Sequence, residues 1–136
     1  YVGNINGKIY ALKVNDGTIK WQYDTGSRII MTPVTDDQNV YVGNLDGRFF
    51  SLDKTTGEKN WSKKFTGVLN TTPLVTNNLI LLPDVQFLLH LINKSTGEVV
   101  KSIELEGRAK LSPVIHNNFL FIGFDDGKIR AYEFAK

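Results

Sequence analysis

The chain has 136 residues, 41% hydrophobic and 22% charged, with a formal net charge of +2. That is enough for one domain with a core, and the small, interspersed charge excludes the polybasic tract that would argue for nucleic acid or an anionic membrane surface. The absence of cysteine excludes a disulfide framework, a cysteine zinc site and a thiol nucleophile.

Tyr1-Val2-Gly3-Asn4 opens the chain and returns as Tyr41-Val42-Gly43-Asn44, then more loosely as Leu81-Leu82-Pro83-Asp84 and Phe121-Ile122-Gly123-Phe124. The spacing of about 40 residues is that of propeller or solenoid repeats. Other marks keep the same register: Gly17, Gly57 and Gly97; Pro33, Pro73 and Pro113, each after a hydroxyl residue; and Trp21 with Trp61. The repeats are expected at 1–40, 41–80, 81–120 and 121–136, as parts of a single partial domain.

In the second repeat, Val40 to Gly43 has the β-branched and aromatic character of a half-buried strand. Asn44-Leu45-Asp46-Gly47 turns the chain, since Gly accepts positive φ. Arg48 to Asp53 is the second strand and Lys54 to Glu58 the second turn. Lys59 to Phe65, with Trp61, is the third strand, and Thr72-Pro73-Leu74-Val75 the fourth. Proline there suits a strand start or edge, because it donates no ladder hydrogen bond. Four short strands in about 40 residues form a unit too small to bury both faces of its sheet, so units must stack. The fold class expected is all-β: a β-propeller segment of four-stranded antiparallel blades.

Three motifs carry a resemblance. They are Tyr-Val-Gly-Asn-x-x-Gly at residues 1–7 and 41–47, the turns at Asp16-Gly17, Thr56-Gly57-Glu58 and Thr96-Gly97-Glu98, and a Trp four residues after Gly17 and Gly57. Together with Gly7-Lys8-Ile9-Tyr10-Ala11-Leu12 and Gly127-Lys128-Ile129-Arg130-Ala131-Tyr132, the chain resembles the PQQ-type propeller repeat over its whole length. The resemblance implies that Trp21 and Trp61 dock on the adjacent blade, with Gly17, Gly57, Gly97, Pro33, Pro73 and Pro113 as further structural anchors. The third repeat departs from the pattern, with Pro83 and Phe87 in place of Gly and Lys101 in place of Trp. Its first hairpin is expected to be irregular.

No apolar run approaches the roughly 18 residues of a spanning helix; the longest, Leu79 to Ile92, is broken by Pro83, Asp84, Gln86 and His90. No signal peptide is present. The chain begins without Met inside a strand motif and reads as a segment of a longer protein or a processed one. Closing a ring then needs the remaining blades of a longer chain or another copy.

The carboxylates Asp16, Asp46, Asp53, Glu58, Glu98, Asp125 and Asp126 read as turn formers, without the ordered spacing of a calcium loop. His90 reads as packed or hydrogen-bonded in an apolar strand, and His116 as exposed beside Asn117-Asn118. No metal ligand set, catalytic residue or cofactor-binding residue is assigned. The candidate partner-binding residues are Arg28, Arg108 and Lys110, in the loops entering the proline-containing strands, and Val85 and Phe87, in an apolar stretch able to capture a partner strand.

The function expected is a non-enzymatic protein-binding scaffold without a cofactor. The resemblance is nearest to the BamB-like lipoproteins, which implies a role in outer-membrane protein assembly, a protein or peptide partner and an extracytoplasmic location. The alternative within the same resemblance is a segment of a PQQ- and calcium-dependent quinoprotein dehydrogenase. A third reading is the luminal stress-sensor domain of some kinases.

Overall fold

Short apolar strands alternate with Gly-centred turns, and each strand pairs with its sequence neighbour. The computed structural model of the protein describes residues 1–133. The first sheet holds β1 (Val2–Gly3), β2 (Lys8–Leu12) and β3 (Ile19–Asp24). The second holds β4 (Val34–Thr35), β5 (Asn39–Gly43), β6 (Arg48–Asp53) and β7 (Lys59–Lys64). The third holds β8 (Leu74–Val75), β9 (Leu79–Pro83), β10 (Leu88–Asn93) and β11 (Val99–Glu104). The fourth holds β12 (Val114–His116), β13 (Phe119–Gly123) and β14 (Ile129–Glu133). All pairings between these strands are antiparallel, and no helix occurs among the described residues. The first two sheets form one compact unit, Tyr1–Asn70, and the last two a second, Thr71–Lys136.

The sheets are out of phase with the sequence repeats. Thr72 to Val75 closes the repeat 41–80, but β8 pairs with β9 of the following repeat. A tight turn sets this partner, because Thr76 N–H donates to Leu79 O at 2.8 Å and folds β8 straight onto β9. Pro33, Pro73 and Pro113 each stand immediately before the short edge strand of a sheet, where a missing donor costs nothing.

Within the first unit, Val40, Tyr41 and Val42 are all buried, as are Phe49, Phe50 and Leu52 on the next strand. Consecutive buried residues mean that both faces of this sheet are covered, unlike an alternating half-wet strand. Trp21 supplies part of the packing between the first two sheets. Its indole lies so close to Gly57 that a Cβ there would meet ring carbon Cδ2 at 2.6 Å. Its Nε1–H donates to Lys54 O at 3.1 Å, and Tyr1 packs on it with ring centroids 5.7 Å apart. Gly57 is thus needed twice, for the close approach and for a φ of +78°; Gly17 and Gly97 have φ of +71° and +75°. Trp61 is half-buried and packs on Tyr41 and Phe49, at 6.1 and 6.0 Å. The second unit has its own core, with Leu81, Leu89, Leu105, Ala109, Leu120, Ile122 and Phe124 buried together.

The third repeat's first hairpin is regular, which corrects the expectation of an irregular one. β9 and β10 pair without a break from Leu89↔Pro83 to Asn93↔Leu79. Phe87 keeps the turn by adopting φ +65°, the left-handed conformation that Gly7, Gly47 and Gly127 adopt elsewhere. Pro83 is tolerated because the N–H at this register is not a ladder donor; in the second repeat Gly43 gives it to Met31 Sδ at 2.9 Å. The bulk added at position 83 is matched by bulk removed at 109. A Cβ on Gly3 or Gly43 would meet Ile29 at 2.4 Å or Leu69 at 3.0 Å, and the residue at that register in the third repeat is Ala109.

Candidate partner-binding surface

The turn after β9 and the loop after β11 meet in the second unit. Leu105 N–H donates to Phe87 O at 2.7 Å, which ties the loop to the hairpin tip. Phe87 remains 43% exposed. The Arg108 guanidinium carbon lies 6.0 Å from the centre of its ring, within cation–π range. Val85 is half-buried on the same turn, and Lys110 is exposed two residues beyond Arg108. The loop is held flat against the fourth sheet, where Lys110 N–H donates to Gly123 O at 2.8 Å and Asp125 N–H to Arg108 O at 3.1 Å.

Arg28 lies in the first unit, on a loop of the same construction: Leu45 N–H donates to Arg28 O at 2.8 Å. The structure thus brings Val85, Phe87, Arg108 and Lys110 together on the second unit, while Arg28 occupies the equivalent register of the first. Arg28, Arg108 and Lys110 are exposed and make no ion pair among the described residues. The neighbouring Arg130 is committed elsewhere. It donates to Asp126 at 2.8 Å and Glu106 at 3.1 Å, and its guanidinium carbon lies 4.4 Å from the Phe124 ring centre. The Arg130 hydrogen bond, helped by Lys128, holds the Asp126 carboxyl below its usual range.

A polar chain underneath positions Phe87. Asp84 Oδ1 accepts from Gln86 N–H at 2.8 Å and Leu88 N–H at 3.0 Å, the residues on either side of Phe87. Its Oδ2 faces His90 Nε2 at 3.1 Å, and His90 Nδ1 faces Ser102 Oγ at 2.8 Å. The Asp84 side chain is fully buried and that of His90 is 8% exposed. A buried carboxylate needs such partners. The Ser102 hydroxyl suits the site because it donates to a neutral ring nitrogen and accepts from a protonated one. The first two repeats use Asn4 and Asn44 at Asp84's register. Asn44 Oδ1 accepts from Arg48 N–H at 3.0 Å while its Nδ2 donates to Thr25 O at 2.9 Å. Sequence reading placed His90 in an apolar strand but missed Asp84 and Ser102 as its partners. The available signal was the joint change from Asn44 and Phe50 to Asp84 and His90 at matched positions. His116 is exposed.

No group of three or more His, Cys, Asp or Glu side chains that could hold a metal ion gathers among the described residues.

Residues 1–82 match the family model described as "Outer membrane protein assembly factor BamB". The chain belongs to the BamB family. No curated protein matches it in sequence. Among solved structures, BamB from Moraxella catarrhalis superposes with a TM-score of 0.82 at 21% identity, over 96% of this chain and 40% of that one. The computationally designed Ika4 protein superposes with a TM-score of 0.84 at 15% identity, over 98% of this chain and 83% of that one. At such identities the likeness is one of fold, and the fold is that of PQQ-type β-propeller blades. This BamB-family chain spans about two fifths of the length of the Moraxella protein. No helix among its described residues is long and apolar enough to cross a membrane.

Proposed function

We propose that this BamB-family chain is a non-enzymatic protein-binding scaffold of outer-membrane protein assembly, working at the cell envelope. The family description supports the assembly role. One observation supports the binding surface: Phe87 stands exposed in a left-handed turn, with the Arg108 guanidinium over its ring. A bulky residue in that conformation is an outlier, and such outliers cluster where a surface is used. The polar chain through Asp84, His90 and Ser102 holds the turn in place. With Lys110 beside it, the surface suits an acidic protein segment that brings an apolar side chain to Phe87 and Val85. Arg28 offers a second cationic loop without the aromatic neighbour.

The test is site-specific cross-linking. A photoreactive phenylalanine analogue at position 87, in the protein expressed in its own envelope, should give one discrete protein adduct. Arg108→Glu with Lys110→Glu should abolish that adduct while circular dichroism stays unchanged, and Arg28→Glu should reduce it less. An adduct that survives the double charge reversal refutes the surface.

A further inference from the structure

Ser102 stands at the outer end of the polar chain that runs from Asp84 through His90. Its Oγ lies 2.8 Å from His90 Nδ1, and His90 Nε2 lies 3.1 Å from Asp84 Oδ2. Ser102 is exposed, His90 is buried and the Asp84 side chain is fully buried. A carboxylate only accepts, so the neutral imidazole turns its N–H toward Asp84 and its lone pair toward Ser102. The serine hydroxyl then donates to that lone pair. A nucleophile, a base and a third group that orients the base, all within hydrogen-bond reach, are the signature of an activated hydroxyl. Such a set is recognised by geometry and roles, not by sequence position.

The ladder places a further donor beside the serine. Leu105 N–H donates to Phe87 O at 2.7 Å, continuing the register Leu88↔Glu104, Leu89↔Ile103 and His90↔Ser102. Hydrogen-bonded and non-hydrogen-bonded pairs alternate along an antiparallel ladder. His90↔Ser102 is therefore a non-hydrogen-bonded pair, which brings the two side chains together and turns the Ser102 N–H away from β10. β11 is the last strand of its sheet, so this N–H points off the edge, where it can donate to a carbonyl oxygen arriving at Oγ. The second repeat supplies the contrast. Ser62 holds the Ser102 register, but its cross-strand partner is Phe50, and Asn44 stands at the register of Asp84. There the serine faces an apolar ring instead of a base.

We propose that Ser102 is a covalent acceptor site for activated acyl esters. Oγ attacks the carbonyl carbon as its proton passes to His90 Nδ1. The bond from that carbon to the leaving-group oxygen then breaks, the leaving group takes the proton from His90, and the acyl group stays on Ser102 as an ester. Asp84 is the positioning residue: it holds the ring and faces the positive charge that His90 carries during the transfer. One acyl group per chain is a modification without turnover, which is compatible with a scaffold.

The full chain is treated with 4-nitrophenyl acetate and, separately, with an alkyl fluorophosphonate, which traps the same oxygen at phosphorus with loss of fluoride. Peptide mass spectrometry compares Ser102 with two serines of the same molecules, Ser62 at the matched register and the exposed Ser95. General-base assistance contributes at least about a hundredfold, so Ser102 should react roughly a hundredfold faster than either. Asp84→Asn with His90→Phe, which copies the Asn44 and Phe50 of the second repeat, should lower Ser102 to the rate of Ser95 while circular dichroism stays unchanged. If that variant fails to fold, His90→Gln, which can hydrogen-bond both neighbours but is no base, should cause the same loss. The proposal is overturned if Ser102 reacts no faster than Ser95 in the unaltered chain, or if its rate survives removal of the imidazole.

Discussion

Phe87 gives the sharpest test of how the third repeat holds its turn. Two substitutions remove the same ring but treat the backbone differently. Phe87→Ala leaves a Cβ at φ +65°, whereas Phe87→Gly does not. Fully burying a phenylalanine contributes about 1.5–3 kcal/mol. Phe87 is 43% exposed, so losing its ring costs roughly half of that. The Arg108 contact adds about 0.5–1 kcal/mol at an exposed site. Phe87→Ala should therefore destabilise by about 2 kcal/mol. Phe87→Gly loses the same contacts but relieves about 1–2 kcal/mol of left-handed strain, offset by about 0.5–1 kcal/mol of extra unfolded-chain freedom. The glycine variant should then be the more stable of the two by roughly 0.5–1 kcal/mol. Urea unfolding followed by far-UV circular dichroism measures the difference. Tryptophan fluorescence does not serve, because Trp21 and Trp61 both lie in the first unit. An alanine variant as stable as the glycine variant refutes a strained Phe87.

Trp21→Ala should cost about 3–5 kcal/mol, read as a lower urea midpoint, and an unchanged midpoint would contradict its packing against Gly57. Tyr41 has its phenol pKa raised well above the ordinary value, first by burial and then by its hydrogen bond to Asp36; its contribution is complete below the unfolded value near 10 and is lost as pH rises toward the folded one. Stability should therefore fall above about pH 10, and Tyr41→Phe should flatten that fall; equal alkaline slopes in the two proteins count against it. Asp84→Asn and His90→Phe should each destabilise alone, while the double variant, which restores the Asn44 and Phe50 combination, should recover part of the loss with a coupling of about 0.5–3 kcal/mol; strict additivity in a double-mutant cycle would show that the pair is not one unit.

The strands and turns were legible because they repeat. Gly17, Gly57 and Gly97 announced three turns by register, and Val40 to Gly43 announced a strand by composition, but as a half-buried one, whereas Val40, Tyr41 and Val42 are all buried. The phase of the sheets was not legible, because β8 is two residues long and the hydrogen bonds of one tight turn, between Thr76 and Leu79, fold it onto β9. At the candidate surface, Phe87 and Arg108 were each visible as single residues, but their stacking depends on a bond between Leu105 and Phe87 that joins segments distant in sequence.

The third repeat shows why comparing repeats position by position misleads. Taken singly, Pro83 for Gly, Phe87 for Gly, Asp84 for Asn and His90 for Phe are four departures, and four departures suggest a damaged hairpin. In space they resolve into matched sets. Pro83 comes with the small Ala109, where Gly43 comes with Leu69. Asp84 comes with a buried His90 that partners its free oxygen, and that in turn fixes the backbone on both sides of Phe87. Each compensation preserves the ladder, and the residue left over, an exposed aromatic at positive φ, is the one with no structural partner change to explain it. The position where this repeat differs without internal compensation is the turn that carries the proposed protein contact.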